Sequence, residues 1–190
     1  MTIQSQLTRL GLFDARVPRY TSYPTAPHFA GGVGPANFTH WIEAIPAGSA
    51  ISLYLHVPFC EAKCFYCNFA VDVSADEQVH SGYVDALLRE LDSHSDWLAR
   101  TQIRGIDIGG GTPTRLPTKQ LERICQAIAP YAQDSGHAFP VSIETTPRIA
   151  SQEPEKLDVL SRGGVQRVSM GVQSFNAATL ALVNRRRQIE

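Results

Sequence analysis

The stretch "ISLYLHVPFCEAKCFYCNF", residues 51–69, changes character half-way along. Its first part, "ISLYLHVPF", reads as a strand that ends at Pro58, just before a cysteine. Its second part holds Cys60, Cys64 and Cys67, three of the chain's four cysteines, with Phe59, Phe65, Tyr66 and Phe69 among them. Three further units of the same kind follow. Tyr83, Val84, Leu87, Leu88 and Leu91 recur at helical spacing, and "IRGIDIGGG" is a strand stopped by its own glycines. Thr118 is expected to cap a helix through Leu121, Ile124, Cys125 and Ile128. "FPVSIETTP" is a third strand, and Pro154 starts a helix with Leu157 and Leu160. "VQRVSMGVQSF" is a fourth strand, followed by a helix over "NAATLALVNRR". Regular βα alternation calls for a parallel sheet, either open or rolled into a barrel, with ligands at the C-terminal ends of the strands. The cysteine loop, "GGGTPT", Glu144 and "MGVQSF" all fall at that rim.

Residues 1–50 read as an N-terminal extension wrapped over the main domain at 51–190. The extension is rich in Pro, Gly and Thr, with one short helix expected near Asn37–Ile45. The 190 residues carry 43% hydrophobic and 18% charged residues and a net charge of −1, which fits a globular domain. Such a balance offers no strong field to nucleic acid or to an anionic membrane. No apolar run reaches the length of a membrane span, and the N-terminus lacks a signal-peptide pattern. The expectation is a cytoplasmic protein, where clustered cysteines point to metal or catalysis rather than to disulfides.

C-x3-C-x2-C can wrap one soft metal centre. Zinc held by the three cysteines and His56 is one reading. A four-iron cube on three thiolates, with one iron left open to a chelating ligand, is the other. The aromatic residues would then keep water from the cluster, unless they simply pack the core. The spacing C-x3-C-x-aromatic-C resembles the signature of the radical S-adenosylmethionine (SAM) superfamily. That resemblance implies a [4Fe–4S] cluster on Cys60, Cys64 and Cys67, and SAM chelated to the free iron. Electron transfer then splits the sulfonium C–S bond, and the adenosyl radical abstracts hydrogen from substrate.

"GGGTPT" lets backbone approach a ligand closely, although a tight turn would explain it as well. By resemblance Gly110, Gly111 and Thr112 bind the SAM amino group. Glu144 suits a ribose diol, or an internal salt bridge. Gln173 is implied near the adenosine, and Arg185 at the methionine carboxylate. Arg186 and Arg187 are adjacent, and three arginines at a helix end also favour the macrodipole. Cys125 and Trp97 read as core.

"PRYTSYPTA", "LYLHVPFC", "GGGTPT", "SIE..P" and "SMGVQSFN", in that order, are together similar to the oxygen-independent coproporphyrinogen III oxidase group. The resemblance implies part of a six-unit (β/α) barrel and oxidative decarboxylation of porphyrinogen propionates to vinyls. It also implies a tetrapyrrole partner, an electron donor protein, and two more βα units with a C-terminal domain beyond residue 190. Tyr54 and His56 are its catalytic candidates, and Arg19, Tyr20 and Tyr23 would help cover the site. Phe69 stands where the oxidases continue with a cysteine. It points to the alternative of a haem chaperone that keeps the cluster without decarboxylating.

Overall fold

The computed structural model describes residues 2–11, 28–29, 31–132 and 141–185. The chain divides into two compact units, Met1–Ile42 and Glu43–Glu190. The first holds α1 (Ile3–Arg9), capped by the Thr2 hydroxyl, which accepts from the Ser5 amide. Most of α2 (Pro35–Glu43) also belongs to it, and neither helix has a buried residue. The α2 helix starts and ends two residues before the expected span. Arg19, Tyr20 and Tyr23 lie outside the described residues.

In the second unit the order is β1 (Ala50–Val57), α3 (Glu77–Ser93), α4 (Ser95–Leu98), β2 (Gln102–Gly110), α5 (Thr118–Ala132), β3 (Val141–Thr145), α6 (Pro147–Gln152), α7 (Pro154–Arg162), β4 (Arg167–Met170) and α8 (Ala177–Leu182). The four strands form one sheet in the order β1-β2-β3-β4, and every pairing is parallel. Crossovers between parallel strands share one hand, so a strand order that never reverses puts all the helices on one face. An open doubly wound sheet needs a reversal and helices on both faces. This is the α/β architecture of consecutive units of a barrel, as expected from the alternation.

Alternate strand positions supply the core. Leu55, Val57, Ile106, Ile108, Val141 and Ile143 are buried against Val84 and Leu91 of α3, Leu121, Ile124 and Ile128 of α5, and Val159 and Leu160 of α7. Each such side chain stabilises the fold by about 1.5–3 kcal/mol. The intervening positions Tyr54, His56, Asp107 and Glu144 turn to the other, mostly polar face. Tyr54 pairs with Asp107, and His56 with Gly109. Cys125 is buried on α5, as expected.

Several boundaries differ from the sequence reading. Thr118 is the first residue of α5 rather than its cap, and the Pro117 carbonyl accepts from the Gln120 and Leu121 amides. The α6 helix was not expected; it is capped by Thr146, whose hydroxyl accepts from the Ile149 amide. The β4 strand stops at Met170, well short of Phe175, because Gln173 turns into the left-handed region at φ 64°. Similarly, α8 stops at Leu182. Asn184 adopts φ 62° and its amide donates to Ala181 O, while the Arg185 amide donates to Leu180 O at 2.8 Å. This is a Schellman turn with Asn in the left-handed position.

Candidate functional site

Beyond β1 the chain makes the cysteine loop and returns beside its own start. Phe59 bridges Asp72, the Cys60 amide donates to Asp72 O, and the Asp72 amide donates to Pro58 O, both at 2.9 Å. Inside the loop the Cys67 amide donates to Cys64 O at 3.0 Å. Two bonds fasten the loop to the Schellman turn: the Phe65 amide donates to Val183 O, and Asn184 Nδ2 donates to Lys63 O at 2.9 Å.

Beyond β2 the glycine turn lies flat against the end of β1. The Gly111 amide donates to Val57 O at 2.9 Å, and the Thr112 amide to Phe59 O at 2.7 Å. A Cβ on Gly111 would lie 2.7 Å from the carbonyl oxygens of Pro58 and Phe59. Gly110 has φ +119°, and a Cβ there would lie 2.7 Å from the His56 ring. Only glycine allows this approach. The Gly110 amide donates to Glu144 Oε2 at 3.3 Å, so the carboxylate at the end of β3 meets the glycine turn.

These loops enclose a pocket of about 430 Å³. Cys60, Cys64, Cys67, Gly110, Gly111, Thr112, Gln173 and Arg185 all line it. The Schellman turn delivers Arg185, whose Nη1 donates to Gly171 O at 3.0 Å. Arg186 and Arg187 lie outside the described residues. Glu144 reaches the pocket's glycine wall without lining the pocket itself. Tyr54 and His56 lie below the glycine turn, away from the thiols. His56 Nε2 is buried with no hydrogen-bond partner, and the Tyr83 hydroxyl donates to the His56 carbonyl at 2.6 Å. Burial, followed by the charges of Glu144 and Asp107, holds the Tyr54 phenol above its ordinary value.

None of the cysteines is in a disulfide. Burial pushes the Cys60 thiol up, and the neighbouring Cys64 and Cys67 push it further. Its contact with Thr112 Oγ1 at 3.7 Å and the charge of Arg185 act in the opposite sense. A cationic centre among the thiols would relieve that mutual repulsion. Among the described residues no three His, Cys, Asp or Glu side chains converge on a single ion. His56 is shut beneath Gly110, so the zinc reading loses its fourth ligand. Three thiols lining one pocket can each bind a separate corner of a cluster.

The aromatic residues divide. Phe59 is buried and packs on His80 and Tyr83, with ring centroids at 4.3 and 5.3 Å, so it belongs to the core. Phe65 is exposed and does not line the main pocket, whereas Tyr66 and Phe69 do line it. Sequence reasoning missed Glu61, Lys63 and Asn184. They also line the pocket, and they carry no motif that spacing could reveal.

The model of the radical SAM superfamily matches residues 54–190. The chain belongs to that superfamily. Its cofactors are accordingly a [4Fe–4S] cluster and SAM. This radical SAM chain is 42% identical, over its full length, to the oxygen-independent coproporphyrinogen III oxidase of Paracoccus denitrificans, of which it covers 42%. It is 36% identical over 173 residues to the enzyme of that name from Escherichia coli, covering 37% of it. The solved structure of coproporphyrinogen III oxidase from Escherichia coli, described as a radical SAM enzyme, superposes with a TM-score of 0.75 at 35% identity. That match covers 93% of this chain and 39% of the other. The chain thus spans about two-fifths of the length of these relatives. Among the described residues no helix is long and apolar enough to cross a membrane.

Proposed function

We propose that this chain carries the cluster- and SAM-binding part of an oxygen-independent coproporphyrinogen III oxidase. That activity is the oxidative decarboxylation of porphyrinogen propionates to vinyl groups in haem biosynthesis. One observation carries the reading: three free thiols, the glycine turn, Gln173 and Arg185 come from separate loops and line one pocket. The names of the relatives supply the substrate. Cys60, Cys64 and Cys67 would hold three irons. When bound, the cluster supplies the electron that splits the sulfonium bond of SAM.

The chain's own groups bind and orient. Gly110, Gly111 and Thr112 present bare backbone to the SAM amino group. Glu144 would accept from the ribose hydroxyls, Gln173 would meet the adenosine, and the Arg185 guanidinium would fork onto the carboxylate. The Tyr54 phenol, held above its ordinary value by burial and the nearby carboxylates, would serve as a hydrogen-bond donor rather than as a base. His56 supports Gly110 from below. Tyr54 and His56 remain the catalytic candidates: the exposed Tyr54 would be open to a porphyrinogen side chain, whereas His56 is shut beneath Gly110. We place the protein in the cytoplasm, served by an electron donor protein. Its near-neutral charge gives nucleic acid no footing.

Anaerobic reconstitution tests the assignment. Replacing Cys60, Cys64 or Cys67 by Ala should abolish bound iron and the SAM-dependent change in the reduced cluster's electron paramagnetic resonance signal. Cys125→Ala should keep both. Equal iron in all four variants would rule the reading out. Supplied with coproporphyrinogen III, SAM and reductant, the protein should cleave SAM, and protoporphyrinogen formed alongside would support the decarboxylase reading. Cleavage of SAM without that product, together with a haem-dependent spectral change, would favour the haem-binding alternative.

A further inference from the structure

We propose that Arg148 is a positioning residue that fixes the cysteine loop to the SAM end of the sheet through Glu61. Glu153 and Lys156 brace it from behind. This rests on the cofactor assignment above. Glu61 follows Cys60 directly and lines the pocket. Arg148 lies 87 residues further on, in α6. Its Nε donates to Glu61 Oε2 at 2.9 Å and its Nη2 to Glu61 Oε1, a bidentate fork that lysine could not reproduce. The same Nη2 donates to Glu153 Oε1 at 3.0 Å, and Nη1 to Gln152 Oε1 at 3.1 Å.

The bracing continues inward. Lys156 Nζ lies 2.6 Å from Glu153 Oε2 and donates to the Thr114 carbonyl at 2.8 Å, with its side chain only 7% exposed. Thr114 in turn shares a buried hydroxyl bond of 2.7 Å with Thr145, at the end of β3. One chain of contacts therefore runs from the residue after Cys60, through α6 and α7, to the turn that follows the glycines. Two carboxylates and two cations balance, so no buried charge is left unpaired. Beyond Cys60 the loop's other ties to the rest of the fold are the Phe65 and Asn184 bonds to the Schellman turn, and the fork is its only ion pair among the described residues. Cys60 itself is held beside the glycine turn by backbone bonds at Phe59 and Asp72, so what depends on the fork is the stretch beyond Glu61, which carries Cys64 and Cys67.

The test reads each thiol separately in the full-length chain after removal of iron, by iodoacetamide labelling and mass spectrometry. Arg148→Ala and Glu61→Gln should each speed labelling of Cys64 and Cys67 by about tenfold, the scale of one charge-assisted pair lost from a local opening. Cys125, buried on α5, should stay protected. Arg148→Lys, which keeps the charge but loses the fork, should restore protection only in part. On the reconstituted chain, the two variants that break the pair should also release iron to a chelator faster. Loop thiols that label at the wild-type rate would overturn the proposal. Labelling of Cys125 alongside them would also overturn it, because the network would then serve general stability. Failure of the cofactor assignment would appear instead as iron retained by the cysteine variants, which leaves thiol labelling untouched.

Discussion

The cysteine loop and the glycine turn share one rim, yet they are held to different degrees by backbone and by side chains. The glycine turn is fixed by backbone: its amides reach β1 carbonyls, and there is no room for a Cβ at Gly110 or Gly111. The cysteine loop is closed by backbone at its base, where Cys60 and Asp72 pair, but beyond Glu61 it relies on one backbone bond to Val183 and on two side-chain latches, the Glu61–Arg148 fork and the Asn184 amide. A backbone-fixed wall cannot give way without losing its hydrogen bonds, whereas a side-chain latch opens at the cost of one or two contacts. The half that would meet the ligand's invariant groups is thus rigid, and the half that must admit a bulky inorganic centre is adjustable.

The largest effect is expected from Gly111→Ala. Its Cβ would press on two carbonyl oxygens, and we expect a loss of about 3 kcal/mol, in the range of severe overpacking, measured by urea unfolding. A loss below about 1 kcal/mol would show that the glycine wall yields as readily as the loop. Thr114→Val comes next. It leaves the buried Thr145 hydroxyl unpaired, at a cost of about 1–3 kcal/mol, which calorimetry would read. Asn184 offers a finer cut. Asn184→Gly keeps the left-handed turn and loses only the latch to Lys63, while Asn184→Ala loses both. The alanine variant should be about 1 kcal/mol less stable than the glycine one.

The smallest effect is in pH. Burial opposes ionisation of Glu153, but Lys156 and then Arg148 outweigh it and hold its carboxyl below the ordinary range. A depressed folded value contributes stability that is complete above the ordinary glutamate pKa of about 4.3. That contribution is lost as pH falls through the lower folded value. Urea midpoints followed through that window should fall for the wild type, and Glu153→Gln should remove that part of the slope.

What the sequence revealed follows the same division. Backbone devices write themselves locally, so "IRGIDIGGG" announced both a strand and the turn that ends it. The cysteine spacing likewise identified the thiols that line the pocket. Side-chain latches are written in two places at once. Nothing near Glu61 indicates Arg148, and nothing near Lys63 indicates Asn184, because the pairing exists only after the sheet has set the register. The α6 helix was hidden for a different reason: six residues between Pro147 and Pro154 give too few turns for a periodicity. The sequence reading named Arg185 by resemblance, but that it enters the pocket through the left-handed Asn184, where α8 ends, is written only in the fold.

The β4 strand bears on how the sheet can continue. All four residues of β4 are exposed, and among the described residues it pairs with β3 alone. Its outer row of peptide groups is placed to pair one more parallel strand, as a further βα unit of a barrel would supply. A strand added there would cover Val168, 44% exposed, and carry the helix layer on round the sheet.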